Sequence, residues 1–113
     1  MSTIRKHAIK QGMSRPYLAV TFEDSDGNAI DLSTATSVKF TMRAAGSSVP
    51  VIDDVSSTIT AATSGRAEYR FTSTDTAIVG EYEGEFRIVW SPTDSEMHPA
   101  DGYIAITVFD DLQ

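Results

Sequence analysis

Three groups of side chains in this sequence have types and spacings that could do chemistry, and each meets a specific obstacle. Asp24, Asp26 and Asn28 alternate as the first oxygen ligands of a calcium loop do. Such a loop needs glycine at its sixth position for the sharp turn and a bidentate glutamate at its twelfth. Ala29 and Ala35 stand there instead, and the flanks read as strands rather than helices. The spacing therefore predicts a polar hairpin turn. Glu81, Glu83 and Glu85 share one face of any extended strand, and carboxylates so placed perturb one another when buried. Arg87 continues the same row, so the expectation is a solvated outer face with cross-strand partners such as Arg70. His7 and His98 are the two histidines, and neither stands in a metal-ligand pair spacing. His98 lies among Asp94, Glu96 and Asp101, a set that would have to converge to hold an ion and otherwise reads as a polar loop. No serine has a Gly-x-Ser-x-Gly setting, and no phosphate-binding glycine loop is present. These readings assign no catalytic residue, metal or cofactor, and the expectation is a protein that is not an enzyme.

Composition narrows the class. The chain of 113 residues falls within the size range of one domain, so residues 1–113 are read as a single unit. Its 41% hydrophobic and 22% charged residues are ordinary for a globular protein. No stretch approaches the ~20 apolar residues of a membrane-spanning helix. Residues 1–12 carry Arg5, Lys6, His7 and Lys10 without an apolar run, which is unlike a secretory signal. The absence of cysteine removes disulfides and thiolate sites and points to folding in a cytoplasm. A net charge of −7 repels a phosphate backbone, since nucleic-acid affinity depends on clustered Lys and Arg. Neither nucleic acid nor membrane is expected as a partner.

The elements that must position these groups are strands. Alternation with period two, the mark of a strand with one buried face, runs through 17–22, 37–43, 66–72 and 82–90. Val38, Phe40 and Met42 against Lys39, Thr41 and Arg43 give the clearest case. In 82–90 the parity turns Tyr82, Gly84, Phe86, Ile88 and Trp90 inward. The segment 103–109 is rich in β-branched residues. Weaker strands are expected in 49–54 and 56–61, and 3–10 suits an edge strand or arm because exposed lysines guard such edges. The run from Asp24 to Asn28, Gly46 and Gly65 mark turns, 91–102 reads as the longest loop, and 73–79 as one helical turn capped by Ser73 or Asp75. The pattern predicts an all-β, immunoglobulin-like antiparallel β-sandwich of about seven to eight strands. Tyr82, near the start of its strand, is either a tyrosine that bonds back to the chain at a corner or one more inward aromatic. Tyr17 and Tyr103 have the parity opposite to their strands' apolar rows. They are either interface anchors or partly covered side chains.

The order "YLAVTFEDSDGNAIDLSTATSVKFTMR", then "GRAEYRFTSTDTAIVGEYEGEFRIVW", then "GYIAITV" resembles the immunoglobulin-like domain at the N-terminus of phage upper-baseplate proteins. Similar domains occur in other phage tail and head-fibre proteins. The pieces that carry the resemblance are Asp26-Gly27-Asn28 before Ile30-Asp31-Leu32, the strand from Thr36 to Arg43, and Asp75-Thr76-Ala77 followed by Gly80-Glu81-Tyr82 and Glu85-Phe86. The resemblance implies a virion structural protein that docks onto other phage proteins in a multi-copy symmetric assembly. Family members carry a long fibre or receptor-binding region after this domain, whereas this sequence stops at Gln113. On that reading it is a capsid decoration, neck, tail or baseplate accessory protein. Ile4, Arg5, Lys6 and His7 in the arm, with Tyr17 and Tyr103, are the expected interface. The alternative is a small carbohydrate- or cell-surface-binding sandwich, disfavoured by a single tryptophan whose parity points inward.

Overall fold

In the computed structural model, which describes residues 5–112, the alternation of the sequence becomes nine strands in two sheets. They are β1 (Lys6–Lys10), β2 (Leu18–Thr21), β3 (Ser37–Ala44), β4 (Pro50–Ser56), β5 (Thr58–Ala61), β6 (Arg66–Tyr69), β7 (Gly80–Ser91), β8 (Asp94–His98) and β9 (Ile104–Phe109). The larger sheet runs β1-β9-β7-β3-β4 with β8 also on β7, and the smaller runs β2-β6-β5. Every pair is antiparallel except β1 with β9, which is parallel. The fold is all-β and sandwich-like.

The inward rows predicted from parity make the core. Val38, Phe40 and Met42 of β3 and Phe86 and Ile88 of β7 are fully buried, as are Ile104 and Ile106 of β9. Leu18, Val20, Ala67 and Tyr69 of the smaller sheet close over them. Each large side chain so buried contributes about 1.5–3 kcal/mol. Rings bridge the two sheets: Phe40 meets Tyr69 at 4.7 Å between centroids, and Phe22 meets Phe86 edge-on at 5.6 Å, arrangements that aromatic quadrupoles favour. Gly84 admits Phe40 to the centre. A Cβ there would lie 2.8 Å from Cζ of Phe40 and 2.8 Å from Cδ1 of Ile106. Gly65 serves the same end at the periphery. It takes φ +67, and a Cβ would lie 2.7 Å from the Ile30 carbonyl oxygen.

Several local expectations give way to the structure. The expected long loop 91–102 contains β8, a hairpin partner of β7 that pairs Phe86 with His98 and Ile88 with Glu96. β7 is twelve residues long. One of its edges takes β9 from Gly80 to Gly84 and β8 from Phe86 onward, so the partner changes at Glu85. Trp90 is only half-buried, though it packs against the core as its inward parity predicted. The strand expected over 66–72 pairs only as far as Tyr69, although Phe71 is still buried. Residues 73–76 form turns, not a helix, and the cap is Thr72: Asp75 N–H donates to its Oγ1 at 3.2 Å while Asp75 Oδ2 accepts Thr72 N–H at 2.8 Å. A 3-10 turn at Ala62–Ser64 precedes Gly65 where a simple turn was expected. Arg70 pairs with Glu68 on the smaller sheet, and the Glu81 row is answered instead by Arg43 and Thr107.

Candidate functional site

With the core accounted for, three surface features remain that could meet another molecule. The first is the β1 edge. In the larger sheet β1 is an end strand, and its other edge faces no strand among the described residues. Lys6 and Lys10 flank it, both exposed, opposite Ala105 and Phe109 of β9. After β1 the chain is anchored by Gln11 Nε2 donating to the Ala77 carbonyl and Thr76 Oγ1 donating to that of Met13, each at 2.8 Å. The anchored segment leaves Met13, Phe109 and Leu112 at the end of the edge, 48%, 50% and 101% exposed. An open edge with lysines and an adjoining apolar patch offers backbone hydrogen bonds, charge and burial together.

The second feature is a shallow groove on the outer face of the larger sheet, about 260 Å³, between Tyr103, Arg43, Glu83, Glu85 and the β3–β4 turn. Arg43 bonds Glu83 at 3.0 Å and Tyr103 Oη at 3.0 Å, and its guanidinium lies 5.0 Å from the tyrosine ring. Hydrogen bonding to Glu83 above all, with the Glu83 charge and the Tyr103 hydroxyl beside it, raises the Arg43 pKa. The guanidinium is therefore a fixed positive charge.

The third feature is a cavity of about 600 Å³ between the 23–28 turn and the end of β8, lined by Glu23, Asp24, Ile30, Glu96, His98 and Ala100 among others. His98, expected in a polar loop, is 7% exposed and packs its ring on Phe22 at 5.1 Å. Its Nε2 lies 2.8 Å from Glu96 Oε1, while Nδ1 is buried without a partner among the described residues. Because an ionised carboxylate only accepts, Nε2 is the donor of this bond. Trp90 Nε1 donates to the other oxygen of Glu96 at 3.1 Å. Burial works to raise the Glu96 pKa, but hydrogen bonds from His98 and Trp90 outweigh it and hold the carboxyl below its ordinary range. Among the described residues no three His, Asp or Glu side chains converge as a metal cage requires. Asp94 opens β8 opposite Ser91, and Asp101 is taken by Arg5 at 2.9 Å. Asp24 does not face an ion with its Oδ1, which accepts the backbone N–H groups of Asp26 and Asn28.

The residues expected at an interface are dispersed. Ile4 lies outside the described residues. Arg5 and Lys6 are exposed, but His7 is half-buried, stacked on Phe71 at 5.7 Å with Nε2 3.0 Å from the Pro16 carbonyl. Burial lowers the His7 pKa, opposed in part by that carbonyl. Tyr17 is half-buried between Arg15 and Arg70, each 5.2 Å from its ring, on the outside of the smaller sheet, whereas Tyr103 belongs to the larger. Tyr82 is buried and donates to the Ile78 carbonyl at 2.6 Å, tying the 72–79 turns to β7. The apolar patch and the His98 cavity were missed. Their residues lie far apart in sequence, and the weak signal was the lone apolar residues Met13 and Leu112 in polar surroundings. Among the described residues no helix is long and apolar enough to cross a membrane. Neither a protein-family model nor a curated protein matches the sequence.

Proposed function

We propose that this chain is a non-enzymatic docking domain of a bacteriophage particle, an immunoglobulin-like sandwich that joins other particle proteins through its surface and sheet edges. The observation that carries the reading is the β1 edge, with Lys6 and Lys10 beside exposed Met13, Phe109 and Leu112. Edge pairing supplies affinity through the main chain, and the flanking side chains select the partner. The hydrogen bond from Tyr82 to Ile78 supports the immunoglobulin-like assignment, because a corner tyrosine in that fold bonds back to the chain just upstream. Multi-copy closed assemblies are the common setting for such a domain.

Immunogold electron microscopy of particles, with an antibody against this domain, tests the reading. Label on the head, neck or tail is expected, and reversing both lysines (Lys6→Glu with Lys10→Glu) should strip it from the particles. Unlabelled particles alongside protein detected in infected cells would overturn the virion role.

One observation favours a second reading, a carbohydrate-binding module: Tyr103 is 45% exposed beside Glu85, Thr41 and Ser48 in the outer groove. A single ring with Arg43 already against it is a small platform for a sugar. Edge docking therefore remains the conclusion.

A further inference from the structure

The cavity beside His98 pairs an apolar lining with charges of one sign. Ile30, Ala100 and the His98 ring give it apolar lining, and Glu23, Asp24 and Glu96 give it acidic lining, with no Lys or Arg among the lining residues. At about 600 Å³ it is within the size range of sites that hold a small ligand or an inserted side chain. The carboxylates keep capacity. Glu23 makes no hydrogen bond or ion pair among the described residues, and each Glu96 oxygen accepts a single bond from the protein, from His98 or Trp90. A carboxylate offers about four acceptor sites, so the outer lone pairs of Glu96 remain open. Those two bonds also fix where the charge sits, since Trp90 and His98 hold Glu96 from the inner side. The His98 side chain is nine-tenths buried on the wall and has an unmet Nδ1.

The occupant these features call for is cationic and partly apolar. A compact metal ion lacks a cage among the described residues. A lysine ammonium is strongly hydrated and would lose that shell against Ile30. A guanidinium is weakly hydrated and planar, stacks on flat rings, and directs five N–H donors at several acceptors at once. Its three-carbon stem can lie along apolar wall while the head meets carboxylate.

We propose that this cavity is a socket for an arginine side chain presented by a partner protein, with Glu23, Asp24 and Glu96 holding the guanidinium and Ile30 and Ala100 the stem. The inference rests on the docking reading for the source of the arginine, though its ligand chemistry stands apart from the particle.

The test is a two-dimensional amide NMR titration of the full chain with butylguanidinium, alongside butylammonium and neutral pentanamide. Saturable shifts confined to residues 23–30 and 96–100 are expected. Butylguanidinium should bind in the millimolar range and several-fold more tightly than butylammonium. Glu23→Gln should weaken it ~10-fold, and the outer-face control Glu81→Gln should leave it unchanged. Equal binding of pentanamide would overturn the proposal in favour of a plain apolar hollow. Equal binding of butylammonium, or shifts spread over the acidic surface without saturation, would overturn it in favour of unspecific charge attraction. Saturable guanidinium binding with unlabelled particles would remove the virion reading and keep the socket. Labelled particles without guanidinium binding would do the reverse.

Discussion

A single methyl group at Gly84 probes how tightly the two sheets close. In Gly84→Ala the new Cβ would stand 2.8 Å from Cζ and 3.0 Å from Cε1 of Phe40, and 2.8 Å from Cδ1 of Ile106. Carbon atoms pack best at ~3.5–4.0 Å, so three contacts are compressed together. Phe40 has little room to retreat, being fully buried with Tyr69 at 4.7 Å and Phe86 at 4.8 Å. Overpacking of this kind costs about 1–3 kcal/mol, offset by roughly 0.5–1 kcal/mol because alanine loses less backbone entropy than glycine in a strand. The expected net loss is therefore about 1 kcal/mol, within bounds of roughly 0–2.5 kcal/mol. Urea unfolding followed by Trp90, the sole tryptophan, should show a lower midpoint with an unchanged slope. Ile106→Val removes one of the clashing atoms. Alone it should cost about 0.5–1.5 kcal/mol, and in the double variant part of the Gly84→Ala cost should be recovered, a coupling on the order of 0.5 kcal/mol or more. A Gly84→Ala midpoint at or above that of the parent, or strictly additive losses, would refute the close-approach argument.

Tyr82→Phe removes a hydroxyl donated at 2.6 Å to the Ile78 carbonyl, which should cost about 0.5–1.5 kcal/mol in urea unfolding and speed amide exchange in residues 76–80. Unchanged stability and exchange would mean that the ring, not the bond, holds the corner. For His7, burial lowers the folded-state pKa below the ordinary 6.5, so the unfolded chain binds the proton more readily. Stability should be full above that value and fall as pH drops through 6.5 toward the folded value, measured as urea midpoints from pH 7.5 to 5.5. Asp31, Glu96 and Asp101, with pKa values lowered from 3.8, 4.5 and 3.8, lose their contributions only at lower pH. His7→Gln should flatten the upper part of the slope, and an unaltered slope would assign it to another group.

What the sequence made legible is what burial forces to repeat. β3 and β7 were readable because Phe40 and Phe86 each stand in an unbroken apolar row that must face the core. β8 was not, because its inward positions are the polar Glu96 and His98 while its one large apolar residue, Met97, faces outward, which leaves no apolar row to read. That strand is specified by the edge of β7 that β9 leaves vacant beyond Gly84, a fact of pairing rather than of residue type. Trp90 shows the same limit from the other side. Its inward parity holds, since it packs against the core, but its indole N–H donates to Glu96, a partner that parity could not name because β8 was unread.

Surface features obey no such repetition, which is why the β1 edge and the His98 cavity had to be seen in space. Their charges nonetheless constrain what can meet them. Two β1 edges brought together antiparallel about Ala8 would set Lys6 of one copy opposite Lys10 of the other, and like charges in directly opposed positions weaken a sheet. The lysines that invite an acidic strand thus resist a second copy of themselves, even though the chain as a whole carries −7. The acidic lining of the cavity resists its own copy in the same way. The opposed lysines of the one and the acidic lining of the other thus disfavour a two-fold contact that matches either surface with itself. Docking through them requires a surface of different composition.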